Sequence, residues 1–310
     1  MVSEPPTRYP SMVTRYGISL IGAGRLGCSL GRSLRGHGWK IHAVVTRSPI
    51  TAKRAVRSIG GGRPSAEINR DVFVAPIILI AVPDSAVRQV VAQLSSYSEE
   101  LPKRIVLHTS GALGSDVLAP LRSFGVLAGS IHPLQSFSGV AMPALEGRIF
   151  AVEGDPGAIR VARSITRSLG GRVFLLNPAA KPLYHAAASM SAGHVLAIVE
   201  SAIQIFAALG MRRREALRAL LSLTRQVLEN EERLGTRAAW TGPLARGDYQ
   251  VILSHQAALR ACPPEYFVAY QALNNLAARV LARNPEGVLA ALNEISHPAT
   301  EKPWSKGASA

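Results

Sequence analysis

The chain has 310 residues, 47% of them hydrophobic, a formal net charge of +15 and two cysteines. That length suggests two domains at roughly 150 residues each, and Cys28 and Cys262 are too few for a disulfide framework, which points to a reducing, cytoplasmic compartment. The charge invites a nucleic-acid reading, but the arginines are scattered and aromatics make up only 5%, with no basic tract interleaved with stacking residues, so no nucleic-acid partner is expected.

Residues 1–16 carry Pro5, Pro6 and Pro10 without periodicity and read as a disordered tail with no apolar signal core. From Gly17 onward strands and helices alternate. "GISLIGA" reads as a buried strand and Arg25 to His37 as a helix; "KIHAVVT" and Ser48 to Ile59 repeat the pair. "APIILIAV", "RIVLHTS" and "GVLAGSIH" follow, with helices near Ser85 to Leu94 and Ser115 to Phe124. "RIFAVEG", a helix over Pro156 to Leu169 and "RVFLLN" extend the series. Near-continuous apolar strands separated by helices predict a doubly wound parallel sheet covered on both faces. The apolar run Val72 to Val82 is broken by Pro76 and too short for a bilayer, which needs about 20 residues, so no membrane partner is expected.

The pattern changes after Pro178. From Lys181 to Ser296 no strand is predicted. "KPLYHAAASMSAGHVLAIVESAIQIFAAL" reads as one long Ala-rich helix ended by Gly210, "RREALRALLSLTRQVLENEERLG" as another with helically spaced leucines, and "PPEYFVAYQALNNLAARVLARN" and "PEGVLAALNEI" as two more with proline starts. The expected division is therefore α/β over 17–178, all-α over 179–296, and a disordered tail over 297–310. The long helix is apolar nearly all round, which implies burial on more than one side and predicts a homodimer built on the helical domain.

Three glycines, Gly22, Gly24 and Gly27, lie between the first strand and the first helix in "IGAGRLG". This Gly-x-Gly-x-x-Gly spacing in a strand-turn-helix context is a dinucleotide loop. Gly22 permits the turn, Gly24 admits the pyrophosphate and Gly27 lets helix and strand approach. The loop residues Ala23, Arg25 and Leu26 belong to the same cofactor site. An NAD site wants an acid at the end of the second strand; here Thr46, Arg47 and Ser48 stand there, and no Asp or Glu occurs between Glu4 and Glu67. A guanidinium with two hydroxyls suits a 2′-phosphate, so NADP is the expected cofactor. Val82 and Pro83 in "AVPDSAV" should line the cofactor, and Asp84 either shares that turn along the cofactor or caps the next helix.

Candidate chemistry sits at strand ends and at the domain join. Ser110 in "LHTSGALG" and His132 in "SIHPLQSF" follow the fourth and fifth of these strands, where doubly wound sheets bind ligands. His108, beside a strand end, reads more readily as a satisfied structural histidine than as a functional one. On the long helix Lys181, Tyr184, His185, Ala188 and Ser189 share one face. Lys181 or His185 could supply the proton when hydride adds to a carbonyl, and Tyr184 could bind substrate. Thr241, Arg246 and Asp248 lie near a Gly-Pro turn. There Arg246 could clamp a substrate carboxylate, or simply pair with Asp248. No metal is expected.

Taken together, "IGAGRLG", "AVPDSAV", "LHTSGALG", "IHPLQSF", "KPLYHAAASMSAGH" and "TGPLARGD" resemble a known group. The first half looks like the Rossmann-type NADP-binding domain of pyrroline-5-carboxylate reductases. The whole chain looks like a less-studied family joining that domain to a characteristic helical C-terminal domain, similar in domain order to 6-phosphogluconate and 3-hydroxyacid dehydrogenases. Some members are linked to ketopantoate reduction. The resemblance implies an NADP-dependent reductase of a small 2-oxo acid, with a pyrroline-carboxylate or imine reductase, or a non-catalytic NADPH-sensing protein, as alternatives. Relatives often carry an Asn about eight residues after the Tyr-His pair; here Gly193 and His194 stand there.

Overall fold

The computed structural model describes residues 17–138 and 143–296. The tails expected over 1–16 and 297–310 lie outside the described residues.

The α/β part runs β1 (Gly17–Ile21), α1 (Arg25–Gly36), β2 (Lys40–Val45), α2 (Pro49–Ile59), β3 (Arg63–Ser65), β4 (Ile77–Ile80), α3 (Asp84–Ser95), β5 (Ile105–His108), α4 (Ala119–Arg122), β6 (Leu127–Pro133), β7 (Ile149–Gly154), α5 (Pro156–Ser168) and β8 (Arg172–Leu175). The eight strands form one sheet in the order β3-β2-β1-β4-β5-β6-β7-β8. The chain order reverses between β1 and β4, which opens a crevice at the carboxyl ends of those strands. Every residue of β1 and β4 is buried, which is why both read as unbroken apolar runs. One core lies on each face: Leu20, Leu30, Ile59 and Phe150 belong to the first, and Ile80, Val91, Val106 and Leu121 to the second.

Two features depart from the sequence reading. The short β3 pairs with β2 through Arg63, Pro64 and Ser65; three residues carrying an Arg and a Pro give no apolar signal. Also, β7 runs antiparallel to β6, with Ser130 opposite Glu153 and His132 opposite Ala151. The 134–148 connection contains no helix among its described residues, and a parallel return would need a crossover, usually helical. The sheet resumes its parallel sense at β8 because α5 supplies that crossover.

Helix starts follow local chemistry. Ser48 caps α2 by accepting the Thr51 N–H, with Pro49 next to it. The expected 115–124 helix is instead a 3-10 turn over Ser115–Leu118 leading into α4. Gly31, one turn beyond the glycine loop, lets α1 lie on the sheet: a Cβ there would sit 2.6 Å from Leu20.

Helices α6 (Lys181–Ser189), α7 (Val195–Ala208), α8 (Arg213–Leu234), α9 (Thr236–Ala239), α10 (Pro243–Arg246), α11 (Tyr249–Leu259), α12 (Pro264–Leu281) and α13 (Pro285–Ser296) make up the rest. A π-helical stretch, Met190–His194, separates α6 from α7 and contains Gly193. The "TGPLARGDYQVILSH" stretch, read as a turn, is mostly helical in α10 and α11. The chain divides into two compact units between Ala192 and Gly193. The join expected at 178/179 lies inside the first unit, because α6 is bonded to the sheet. In the second unit Leu244, Ile252, Ala278 and Leu292 form a small core. Large apolar side chains stay exposed on α7, α8 and α12, among them Leu196, Leu228 and Val268. The helical run Pro178–Ala208, with mean hydropathy 1.4, is long and apolar enough to cross a membrane.

Candidate functional site

The glycine loop does three separate jobs. Gly22 has φ +94°, and a Cβ on it would lie 2.3 Å from the Ala81 carbonyl oxygen, so only glycine turns the chain there. Gly27 would clash with the Gly22 carbonyl at 2.4 Å, which keeps α1 close to β1. Gly24 is different: a Cβ there would meet nothing within 4 Å. Its missing side chain leaves open ground above the start of α1, where no side chain caps the helix and no acid occupies the first turn. The first amides of a helix lack intrahelical partners and carry partial positive charge. That cradle fits the pyrophosphate of a dinucleotide.

At the end of β2, Arg47 is exposed and has no hydrogen-bond or ion-pair partner among the described residues, whereas Thr46 and Ser48 are occupied locally. Thr46 Oγ1 lies 2.7 Å from Thr51 Oγ1, and Ser48 Oγ takes the Thr51 N–H. The hydroxyls therefore build the helix start, and Arg47 stays exposed beside it.

A cavity of about 330 Å³ is lined by Gly24, Arg25 and Leu26, by Ala81 to Asp84, by Thr109 to Gly111, and by His132 and His185. This is within the size range of small-molecule sites. Val82 and Pro83 stand where the sequence placed them. Asp84 lies in the first turn of α3, but Pro83 holds the cap position, so Asp84 is not the side-chain cap.

The far wall is built by β6 and α6. Tyr184 Oη and His132 Nδ1 are hydrogen-bonded at 2.9 Å, and the rings of His132 and His185 stand edge to face 6.0 Å apart. Burial, with the charge of Lys181 second, pushes His132 down to about 4, so it is neutral at pH 7. Burial pushes Tyr184 up to about 12, so its proton stays on. In the neutral tautomer whose Nδ1 accepts from the phenol, the imidazole proton is on Nε2 and faces away from Tyr184. Gly111, in the "LHTSGALG" cluster, is the residue to which the sequence assigned no role of its own: a Cβ on it would lie 2.4 Å from His185 and 2.8 Å from His132 Nε2. Only glycine lets both rings reach the cavity. Its one sequence signal was the small residue after a strand end.

His108 is structural. It is fully buried, its Nδ1 accepts the Ser110 N–H at 3.2 Å, and burial holds it at about 3. The Ser110 hydroxyl accepts the Ala112 and Leu113 N–H groups at 3.2 and 2.9 Å, so it shapes the turn while lining the cavity.

Two placements correct the sequence reading. Lys181 does not line the cavity; it is 0% exposed and donates to the Ser110 carbonyl at 2.7 Å and to Ser130 Oγ, with Glu153 Oε1 at 3.8 Å. The predicted helix face is the inward one, but its first residue points beneath the cavity wall. Arg246 pairs with Asp248 at 2.9 Å in the second unit, so the guanidinium expected to clamp a carboxylate already has one. Thr241 is exposed in that same stretch.

A Rossmann-like domain model matches residues 2–133, and the model of a domain of unknown function, DUF2520, matches residues 148–277. No curated protein matches it. Among solved structures it is similar to a Thermotoga maritima protein at 24% identity and TM-score 0.66, covering 85% of this chain and 98% of that one. A Bacteroides fragilis protein named as an NADP oxidoreductase matches at 21% and 0.68, covering 84% and 97%. An imine reductase from Pseudomonas sp. matches at 19% and 0.63, covering 89% and 99%. At these identities the likeness is one of fold.

Proposed function

We propose that this protein is an NADPH-dependent reductase of a small molecule with a C=N or C=O bond. One observation carries the reading: a single cavity joins an uncapped, glycine-opened helix start to a pair of histidines. Gly22 to Gly27 would hold the pyrophosphate and Arg47 the 2′-phosphate. NADPH supplies a hydride from its dihydronicotinamide when bound.

The protein's own groups do the rest. His132 offers its Nε2–H to the substrate heteroatom and so stabilises charge that builds there. For a carbonyl, the alkoxide takes that proton while Tyr184 returns one to Nδ1; the phenolate, strongly basic when the hydroxyl sits at about 12, recovers its proton from water. A neutral imine accepts the Nε2–H on its nitrogen lone pair and takes that proton by the same relay as hydride adds at carbon, whereas an iminium arrives already protonated and needs no proton from His132. The reading now favours a cyclic imine over a 2-oxo acid, because Arg246, the expected carboxylate clamp, is paired with Asp248. The fold shared with an imine reductase supports the same choice.

The test is NADPH oxidation at 340 nm against panels of cyclic imines and 2-oxo acids. Turnover is expected with imines, and His132→Phe should lower it about 100-fold or more, the usual range for a lost general acid. Binding of NADPH with no turnover on either panel would leave the sensing alternative instead.

A further inference from the structure

Helix α6 docks on strand β6 through two rungs. Ser130 and His132 are two apart on β6 and so point to the same face. Lys181 and Tyr184 are three apart on α6 and so share one side of the helix. Lys181 bonds Ser130, and Tyr184 bonds His132. The outer rung belongs to the site described above. The inner rung is closed by Glu153, which stands opposite Ser130 across the antiparallel β6–β7 pair, is 2% exposed, and accepts the Ser115 N–H at 2.9 Å through Oε1. Its second oxygen, Oε2, has no partner among the described residues.

The ammonium of Lys181 is fully committed. It holds the Ser110 carbonyl, the Ser130 hydroxyl and the Glu153 carboxylate, and none of its surface reaches solvent. Through Ser110 it fixes the turn that carries Gly111, against which both cavity histidines rest. Through Ser130 and Glu153 it fixes the start of the helix that carries Tyr184 and His185.

We propose that Lys181 and Glu153 act together as positioning residues: a buried charge pair that sets the register of α6 on β6 and thereby holds Tyr184 on His132 and both rings against Gly111. The role rests on the reductase reading only for its kinetic readout. Lys181 does not itself deliver a proton to substrate in this proposal: its side chain is 0% exposed and it is not among the residues that line the cavity.

Replacement of both members separates this role from proton donation. Lys181→Met leaves a buried carboxylate without its cation, which is strongly unfavourable, whereas replacing both members of a buried pair with apolar groups is often tolerated. With the imine that turns over best, Lys181→Met should lower kcat about 100-fold, as a misplaced catalytic group does, with NADPH affinity near wild type. The double variant Lys181→Met/Glu153→Met should regain about tenfold or more of that loss, within the range of couplings between contacting residues. A double variant as slow as Lys181→Met, or slower, overturns the proposal and makes the amine itself essential. If Lys181→Met does not fold, the double variant decides alone, since turnover by a chain with no amine at position 181 supports positioning and its absence at normal NADPH binding overturns it.

A second measurement is independent of turnover. Amide hydrogen exchange over 109–113 and 182–186 should quicken in Lys181→Met and slow again in the double variant. Unchanged exchange in the single variant overturns the proposal. If the wild-type chain reduces nothing on either panel, the reductase reading fails while the exchange result still decides the positioning role.

Discussion

The two compact units differ in one charge pair: both carry exposed ion pairs, Arg63–Asp71 among those of the first, but among the described residues only the first buries one. In the first, Lys181 and Glu153 are sealed from water beneath the cavity wall. In the second, the ion pairs Arg213–Glu200 and Arg246–Asp248 lie on exposed surface, while Leu196 and Leu228 are 68% and 60% exposed. A unit that buries charge and one that exposes leucine are solving different problems. The sheet must orient a few side chains to fractions of an ångström. The helices carry apolar surface beyond what their own small core consumes, and large exposed apolar patches mark interaction sites. We propose that a second copy of this chain covers that surface. The same surface makes the Pro178–Ala208 run apolar enough for a bilayer, yet its first turns are tied to the sheet through Lys181 and Tyr184.

The largest expected effect tests that half of the comparison. Leu196→Asp/Leu228→Asp places two carboxylates where the partner copy would sit, at a cost of several kcal/mol if they are buried. Light scattering at micromolar concentration should show a dimer for the wild type and a monomer for the variant. A monomeric wild type would break the contrast.

The next effect comes from the sealed unit. His108 and His132 sit at about 3 and about 4 when folded, below the ordinary value of 6.5. The unfolded chain therefore binds more protons as pH falls below 6.5, and stability drops with it. Between pH 6.5 and 4 the loss from His108 alone is of order 3 kcal/mol. Urea unfolding at pH 7, 5.5 and 4.5 should show a falling midpoint, and a flat profile would deny the burial of these rings.

Gly24→Asp should weaken NADPH binding by about 100-fold, the equivalent of one or two lost hydrogen bonds to a charged group. The melting temperature should hold, because the added Cβ meets nothing. The same carboxylate at Gly27 would strike the Gly22 carbonyl and lower both.

Arg47→Ala should cost about 2 kcal/mol of NADPH affinity and leave NADH unchanged, since only the former carries the 2′-phosphate. Equal losses in paired titrations would reassign the arginine. The smallest effect belongs to Arg246→Ala, an exposed pair worth a few tenths of a kcal/mol. Neither the melting temperature nor KM for any 2-oxo acid should move appreciably, and a raised KM would restore the carboxylate clamp.

Much of the cofactor side was legible from residues alone. The glycine loop, Arg47 in place of an acid, and Val82 and Pro83 all lie within a few residues of the strand that positions them, so spacing along the chain determines spacing in the fold. The apolar strands β1, β4 and β5 were legible for a related reason, since burial on both faces leaves an unbroken hydrophobic run. The inward face of α6 was legible too, because helical periodicity is local.

Only the tertiary structure decided what those faces meet. Lys181 looked like a proton donor because nothing local reveals that Ser130, 51 residues earlier, and Glu153, 28 residues earlier, converge on it. That convergence depends on β7 turning back antiparallel, which follows from a connection with no crossover helix among its described residues rather than from any property of the strand. Gly111 gained its meaning in the same way, from two rings that arrive on other elements. Arg246 met Asp248 two residues away, and there the choice between a free clamp and a closed ion pair turned on side-chain geometry that composition does not encode.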